Sequence, residues 1–191
     1  MKQLFAAIVY RLLIDQIANK RDPDFVVGAD NPEGPYLLRW YVTPWRGWYQ
    51  HIPKEDRTRW QRAVIATVKR WPNLYLHKFL RDDDDRAHHD HPSWAISWLL
   101  ARGYVEQIIA AGGIHFRTLY PAGTLRFLRT LHVHRIELVR DEGGQPLPAW
   151  SLFLFGPRVR EWGFHCPERG WVHWEEFTTP GDSGKIGRGC D

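Results

Sequence analysis

"RAHHDHPSWAISWLLARGYVE", residues 86–106, decides how the chain is read. Three histidines fall within four positions, an apolar run follows, and a glutamate closes the stretch. An extended strand sends alternate side chains to one face, so His89 and His91 point together, as do His132 and His134 of "LHVHRIEL". Two such pairs on neighbouring strands can converge. With a carboxylate such as Glu106 they supply three or four donors of the kind that first-row metals take from imidazole and carboxylate groups. The plainer reading is chance clustering among 10 histidines, with His91, just before Pro92, as a loop residue.

Working outward, the chain from Leu74 breaks into short runs: "LYLHKFL", "WAISWLL", "GYVEQII", "IHFRTLY", "TLRFLRT", "LHVHRIELV", "AWSLFLFG", "RVREWGF" and "GWVHWEEF". Aromatic and β-branched residues dominate these runs, and Gly-, Pro- and Asp-rich turns separate them. Such a succession predicts a mainly β antiparallel sandwich or barrel, for which the jelly roll is the common small solution. A further strand is predicted at "YLLRWYV", residues 36–42. Upstream, Leu4, Phe5, Ile8, Val9 and Leu12 recur at helical spacing and predict an amphipathic helix docked on the domain by that side. Between Pro53 and Pro72, the residues Trp60, Ala63, Val64, Thr67, Val68 and Trp71 predict an inserted helix, a lid or brace, over about 54–71. The expected division is therefore an N-terminal helix over 1–22, a β-barrel over 23–180 with its insertion at 53–72, and an irregular Gly-rich tail over 181–191.

A length of 191 residues fits one main domain, and a 43% apolar fraction with 11 tryptophans supplies a core. The formal charge is +4 and its basic residues are dispersed, which favours an anionic small ligand. Nucleic acid has no recognition motif behind it and stands as a further alternative, which steeply salt-dependent binding would reveal. Only Cys166 and Cys190 are present, too few for a disulfide scaffold, so both are expected reduced in a cytoplasmic protein. The run "LFAAIVYRLLIDQIA" is broken by Arg11 and Asp15 and is too short and charged to span a membrane. No Gly-x-Ser-x-Gly elbow and no phosphate-cradling glycine loop occurs, which argues against a triad hydrolase or a P-loop enzyme.

The succession "YLHKFLRDDDDRAHHDHPSW", "GYVE", "HRIEL", "FGPRVREWGF" and "GWVHWEEF" resembles small cupin-superfamily proteins of bacterial and phage genes, mostly without an assigned activity. The resemblance covers residues 22–190, with the helix at 53–72 as an insertion. It implies a double-stranded β-helix barrel holding one divalent metal through His89, His91, Glu106 and His134, with His132 as a substitute for His134. Glu106 is displaced relative to the usual cupin glutamate, whose place is taken here by Ala95 and Ile96. The resemblance also allows a homodimer paired through sheet edges. Iron(II) is the favoured ion for a histidine-rich site with a carboxylate and open positions, with zinc, nickel or manganese as alternatives. The expected function is metal-dependent chemistry on a small substrate, of the dioxygenase or isomerase kind. The alternative is a non-catalytic barrel with a structural metal or a small-ligand pocket.

Other residues carry two readings. Arg126, Arg129 and Arg135 lie near the site strands and have the fork that grips a carboxylate or phosphate, with Arg135 favoured as substrate anchor; equally, they are a solvated strand face. Trp162, His165, Trp171 and His173 wall an aromatic pocket or simply fill the core. Asp82 to Asp85 read as a solvated turn, because four consecutive acids cannot face one ion. Asp90 faces away from the histidines beside it, and Cys190 falls in the terminal segment.

Overall fold

The computed structural model describes residues 1–45, 52–53, 55–83, 87–110 and 113–191. Fourteen strands are present among them. The large sheet runs in the order β1 (Phe25–Val27), β2 (Leu37–Tyr41), β3 (Asn73–Phe79), β10 (Ala149–Phe155), β5 (Ala95–Ala101) and β8 (Leu125–Leu128), all antiparallel. The second layer has two pieces. One is β12 (Gly170–His173), β11 (Gly163–Cys166) and β4 (His88–His89); the other is β7 (Ile114–Pro121), β6 (Gly103–Ala110) and β9 (Arg135–Leu138). An isolated antiparallel bridge between His89 and His134 joins them, with reciprocal N–H to carbonyl bonds of 2.9 and 3.1 Å.

The layers pack face to face. Leu37, Phe79, Leu99 and Ala149 of the large sheet meet Tyr104, Ile136 and Leu138 of the second in one buried cluster. Alternation along each strand supplies these residues, so the period of two in the sequence becomes the inner wall of a mainly β, antiparallel two-layered barrel of the jelly-roll kind. The chain changes sheets between β5 and β6 at Arg102 and Gly103, whose φ values are 65° and 131°. A Cβ at Gly103 would sit 2.4 Å from the Tyr120 carbonyl oxygen, so only glycine turns this corner beside β7.

The N-terminal helix α1 (Lys2–Leu13), extended by a π-helical turn at Ile14–Ala18, docks on the outer face of the large sheet. The docked side differs from the expected one. Val9, Tyr10, Leu13, Ile14 and Ile17 pack on Trp40, Leu76, Leu100 and Trp150, whereas Leu4, Ile8 and Leu12 are exposed. Phe5, also exposed, stacks on Trp98 at 5.5 Å. Both sides of this segment are apolar, so periodicity alone could not choose between them.

The inserted helix α2 (Arg59–Val68) is shorter than its pattern and starts at a Thr58–Gln61 capping box. It buries Ile65 and Val68, with Val64 and Trp45 packed against them, while Trp60 and Trp71 stay exposed. The buried stripe is thus rotated from the predicted one, whose tryptophans point outward.

The first half of the tail, expected to be irregular, is strand, and residues 187–191 have no regular secondary structure. After the helical turn α3 (Trp174–Phe177), β13 (Thr178–Thr179) pairs with β14 (Asp182–Ile186), and Gly28 donates its N–H to the Gly184 carbonyl at 2.6 Å. Cys166 and Cys190, expected reduced, form a disulfide across 24 residues that closes this segment onto β11. The cysteines therefore lend no support to a reducing compartment. Among the described residues no helix is long and apolar enough to cross a membrane.

Candidate metal centre

The His89–His134 bridge places two imidazoles directly across a strand pair, with ring centroids 4.9 Å apart. His91 follows two residues on and falls on the same side, its ring 5.3 Å from that of His89 and its Nε2 2.9 Å from Nε2 of His134. One nitrogen from each of His89, His91 and His134 lies within 4.8 Å of the others. A second group meeting the same distance is Glu106, His132 and His134.

The two groups share His134 but use opposite edges of its ring. Glu106 Oε1 lies 2.5 Å from His134 Nδ1 and 2.9 Å from His132 Nε2, while His134 Nε2 faces His91. Because the ring nitrogens diverge, Glu106 stands behind His134 rather than beside His89 and His91. His132, the expected substitute for His134, likewise touches Glu106 and not the other two imidazoles.

Electrostatics separates the roles. Burial alone would raise the Glu106 pKa, but hydrogen bonds from His132 and His134 and the charge of Arg126 outweigh it, so the carboxyl stays ionised far below the usual carboxylate range. Arg126 Nη2 reaches Glu106 Oε2 at 2.6 Å, and its guanidinium lies 3.9 Å from the Tyr120 ring centroid. Burial pushes His134 down to about 3, against the raising effect of Glu106, and burial together with the neighbouring imidazoles puts His91 well below its ordinary value. Both rings are therefore neutral near pH 7, the form in which imidazole donates to a metal. His89 Nδ1 is 3.3 Å from Asp83 Oδ2, which also accepts from the Ile136 N–H, so Asp83 positions a histidine instead of sitting in a solvated turn. Asp82 accepts from the Leu138 N–H and pairs with Arg140; Asp84 and Asp85 lie outside the described residues.

His89, His91 and His134 open onto a cavity of about 790 Å³ between the sheets, whereas Glu106 and His132 do not line it. Tyr75, His77 and Phe153 from the large sheet and Trp162, Phe164 and Trp174 from the second layer shape its walls. Of the four residues weighed as an aromatic pocket, Trp162 is the one in this wall, stacked 6.1 Å from Trp174. Trp171 and His165 turn to Asp90, and His173 to Glu161.

Arg135, expected as substrate anchor, projects from the opposite face of β9. Its Nε donates to Gln107 and its Nη2 pairs with Glu137 at 2.6 Å, and it does not line the cavity. Arg129 is exposed and Arg126 is committed to Glu106. Arg39 and His77 do line the cavity and were missed by sequence reasoning. Alternation with Leu37 and Tyr41, and with Tyr75 and Phe79, was the signal that both face inward.

No protein-family model matches the chain, and no curated protein matches it. Solved structures similar to it include an oxalate decarboxylase variant from Bacillus subtilis, 18% identical over 50% of this chain and 24% of that one, with a TM-score of 0.37. An oxalate decarboxylase formate complex from Lactobacillus farciminis is 11% identical over 66% of this chain and 30% of that one, with a TM-score of 0.41. The iron(II) form of HppE is 15% identical over 73% of this chain and 58% of that one, with a TM-score of 0.43. The chain thus spans less than two thirds of each of these proteins. These likenesses are too distant to bear on the site, whose reading rests on its own geometry.

Proposed function

We propose that the protein is a metal-dependent enzyme of the cupin type, with one divalent ion held by His89, His91 and His134 and with Glu106 orienting His134 from behind. One observation carries this reading: three imidazole nitrogens converge within 4.8 Å at the wall of a cavity large enough for a small molecule. The donor set fits a divalent first-row metal, because two of its rings are held neutral by burial and the third is backed by Asp83. Imidazole donors suit iron, zinc and nickel alike, and with Glu106 behind His134 no carboxylate singles out one of them; iron(II) is the first ion to test, with zinc, nickel and manganese as the other candidates. Iron at a site with so few protein ligands supplies dioxygen activation. Dioxygenase chemistry is therefore the first choice of reaction and isomerisation the second.

The chain's own residues have definite tasks in this reading. Glu106 fixes the His134 tautomer by accepting from Nδ1 and so leaves Nε2 to face the cavity. Arg126 keeps Glu106 ionised. The stacked pair Trp162 and Trp174, with Phe164, keeps bulk water from the apolar side of the cavity.

The test is metal analysis of protein purified without a chelator or a nickel column, followed by oxygen uptake against a panel of small acids once iron is loaded. About one equivalent of metal, lost in His91→Ala, is expected. Protein that takes up no divalent metal would remove the reading, and a tightly bound ion without oxygen uptake or isomerase turnover would favour a non-catalytic metal barrel.

A further inference from the structure

Helix α1 is apolar on two sides, and the fold covers one of them. Ala6, Val9, Tyr10, Leu13 and Ile17 take the side packed on the large sheet. Leu4, Ile8 and Leu12 recur every fourth residue along the other side and are exposed. A helix with apolar residues all round is ordinarily enclosed, since burying one such side chain is worth about 1.5–3 kcal/mol.

The exposed stripe continues onto the sheet. Phe5 stacks on Trp98 at 5.5 Å, and Trp98 sits across the strand pair from Leu125 of β8. Phe127, two residues further along the same outward side of β8, stacks on Trp94 at 6.3 Å, while Arg126 and Leu128 turn inward. Leu4, Phe5, Ile8, Leu12, Leu125 and Phe127 are each between 50% and 68% exposed. Together they leave on the order of 700 Å² of apolar surface in water, more than the roughly 300–600 Å² of the largest patch on a typical monomer and close to the about 800 Å² that each partner buries in a standard interface.

Charge chooses the occupant. Lys2, Arg11 and Asp15 are exposed, and none of the three has an ion pair or side-chain hydrogen bond among the described residues. A carboxylate on the exposed side disfavours a lipid surface, which selects helices whose polar face is rich in Lys and Arg. A second copy of the chain accommodates it. Antiparallel packing of two α1 helices, centred near Ile8, turns Leu4 toward Leu12 of the other copy. The same packing brings Asp15 to the first turn of the other helix, which carries Lys2, has no acidic residue and has no side-chain cap. The carboxylate there meets a cation and unpartnered N–H groups, and it does so at both ends of the pair.

We propose that the exposed side of α1, together with Leu125 and Phe127 of β8, forms an interface between two copies of this chain, with the two α1 helices antiparallel across it. Each copy uses the same patch, so the assembly closes at two. The contact lies on the outer face of the large sheet, away from the cavity between the sheets, so it is independent of the metal-dependent reading.

The test is sedimentation equilibrium of the full chain from about 1 to about 100 μM, a range in which an interface of this area assembles. Wild-type protein is expected to be dimeric. Ile8→Asp, which sets a charge at the centre of the contact in both copies, should raise Kd by about a hundredfold or more, and Asp15→Lys by about tenfold. Ile114→Asp, on the free edge strand β7, should leave Kd unchanged, which separates this contact from pairing through sheet edges. Circular dichroism and metal uptake are expected to stay at wild-type values in all three. Should Ile8→Asp lose its helical signal, Leu4→Glu on the same stripe takes its place with the same expected loss of dimer. A wild-type chain that stays monomeric, with or without binding to anionic vesicles, would overturn the proposal. So would an assembly larger than two, a dimer that survives the stripe variants, or a dimer lost with Ile114→Asp.

Discussion

Two faces of one short stretch, residues 88–91, hold two clusters that look alike in sequence and do different things. Inward, His89 and His91 meet His134, which is backed by Glu106 and Arg126. Outward, His88 lies cross-strand from His165, and the Asp90 carboxylate collects the Gly163 N–H at 2.9 Å, the Trp171 indole N–H at 3.0 Å and Arg160 at 2.9 Å. Each cluster has a buried carboxylate paired with an arginine. Only the inward one presents convergent imidazole nitrogens to a cavity. The difference teaches that histidine content does not define such a site; what defines it is nitrogen atoms left pointing at a common open space. Asp90 is saturated by donors and ties β11 to β4, whereas Glu106 turns one ring so that the ring's other edge stays available.

The sharpest way to break this comparison is to truncate one histidine from each face. His134→Ala should weaken metal binding by more than the roughly 10–100-fold that loss of a supporting residue causes, while His88→Ala should leave metal content unchanged, both read by metal analysis after dialysis. Equal metal loss in the two variants would abolish the distinction between the faces.

Stability should divide the other way. Asp90→Ala leaves the Gly163 and Trp171 N–H groups without their acceptor and removes the ion pair to Arg160, and is expected to cost about 3 kcal/mol in urea unfolding without lowering metal stoichiometry. A metal-free variant that is as stable as wild type would show that Asp90 belongs to the site after all.

Glu106→Gln is the intermediate case. It keeps an oxygen to accept from His134 but loses the charge, so metal affinity should fall by about 10–100-fold while His132 and Arg126 lose their ionic partner. A metal affinity unchanged in this variant would mean that Glu106 serves the fold only.

The smallest expected effect concerns His77, a buried imidazole outside both clusters. Its folded pKa lies well below 6.5 because of burial and the Arg39 charge. Below pH 6.5 the unfolded chain takes up a proton that the folded ring refuses, so stability falls as pH falls, by up to about 1.4 kcal/mol per pH unit until the folded pKa is reached. His77→Gln, which can still accept from Arg39, should flatten the urea midpoint against pH between pH 6 and pH 5, given as about one proton's slope. No change in that slope would mean that His77 titrates normally.

Strand placement was legible because alternation and turn residues are local signals. "LYLHKFL", "WAISWLL", "GYVEQII", "IHFRTLY" and "AWSLFLFG" all became strands close to their predicted limits. The run "RVREWGF" became strand only from Gly163, and "LHVHRIELV" only from Arg135, apart from the bridge at His134. Which side of α1 and α2 would be buried was not legible, since each helix has apolar residues on more than one side and the receiving surface comes from distant strands. The Cys166–Cys190 disulfide was missed for a similar reason: whether two cysteines meet depends on how the tail returns to β11.

The sequence by itself determined the alternation that aims His89 and His91 one way and Asp90 the other, because the pleat of an extended chain has a period of two whatever surrounds it. Only the tertiary structure decided that His134 would lie across from His89, that Glu106 would take the far edge of that ring, and that Arg39 rather than Arg135 would face the cavity. Those outcomes depend on the register between strands far apart in the chain and on which sheet closes over which, and no local run of residues encodes either.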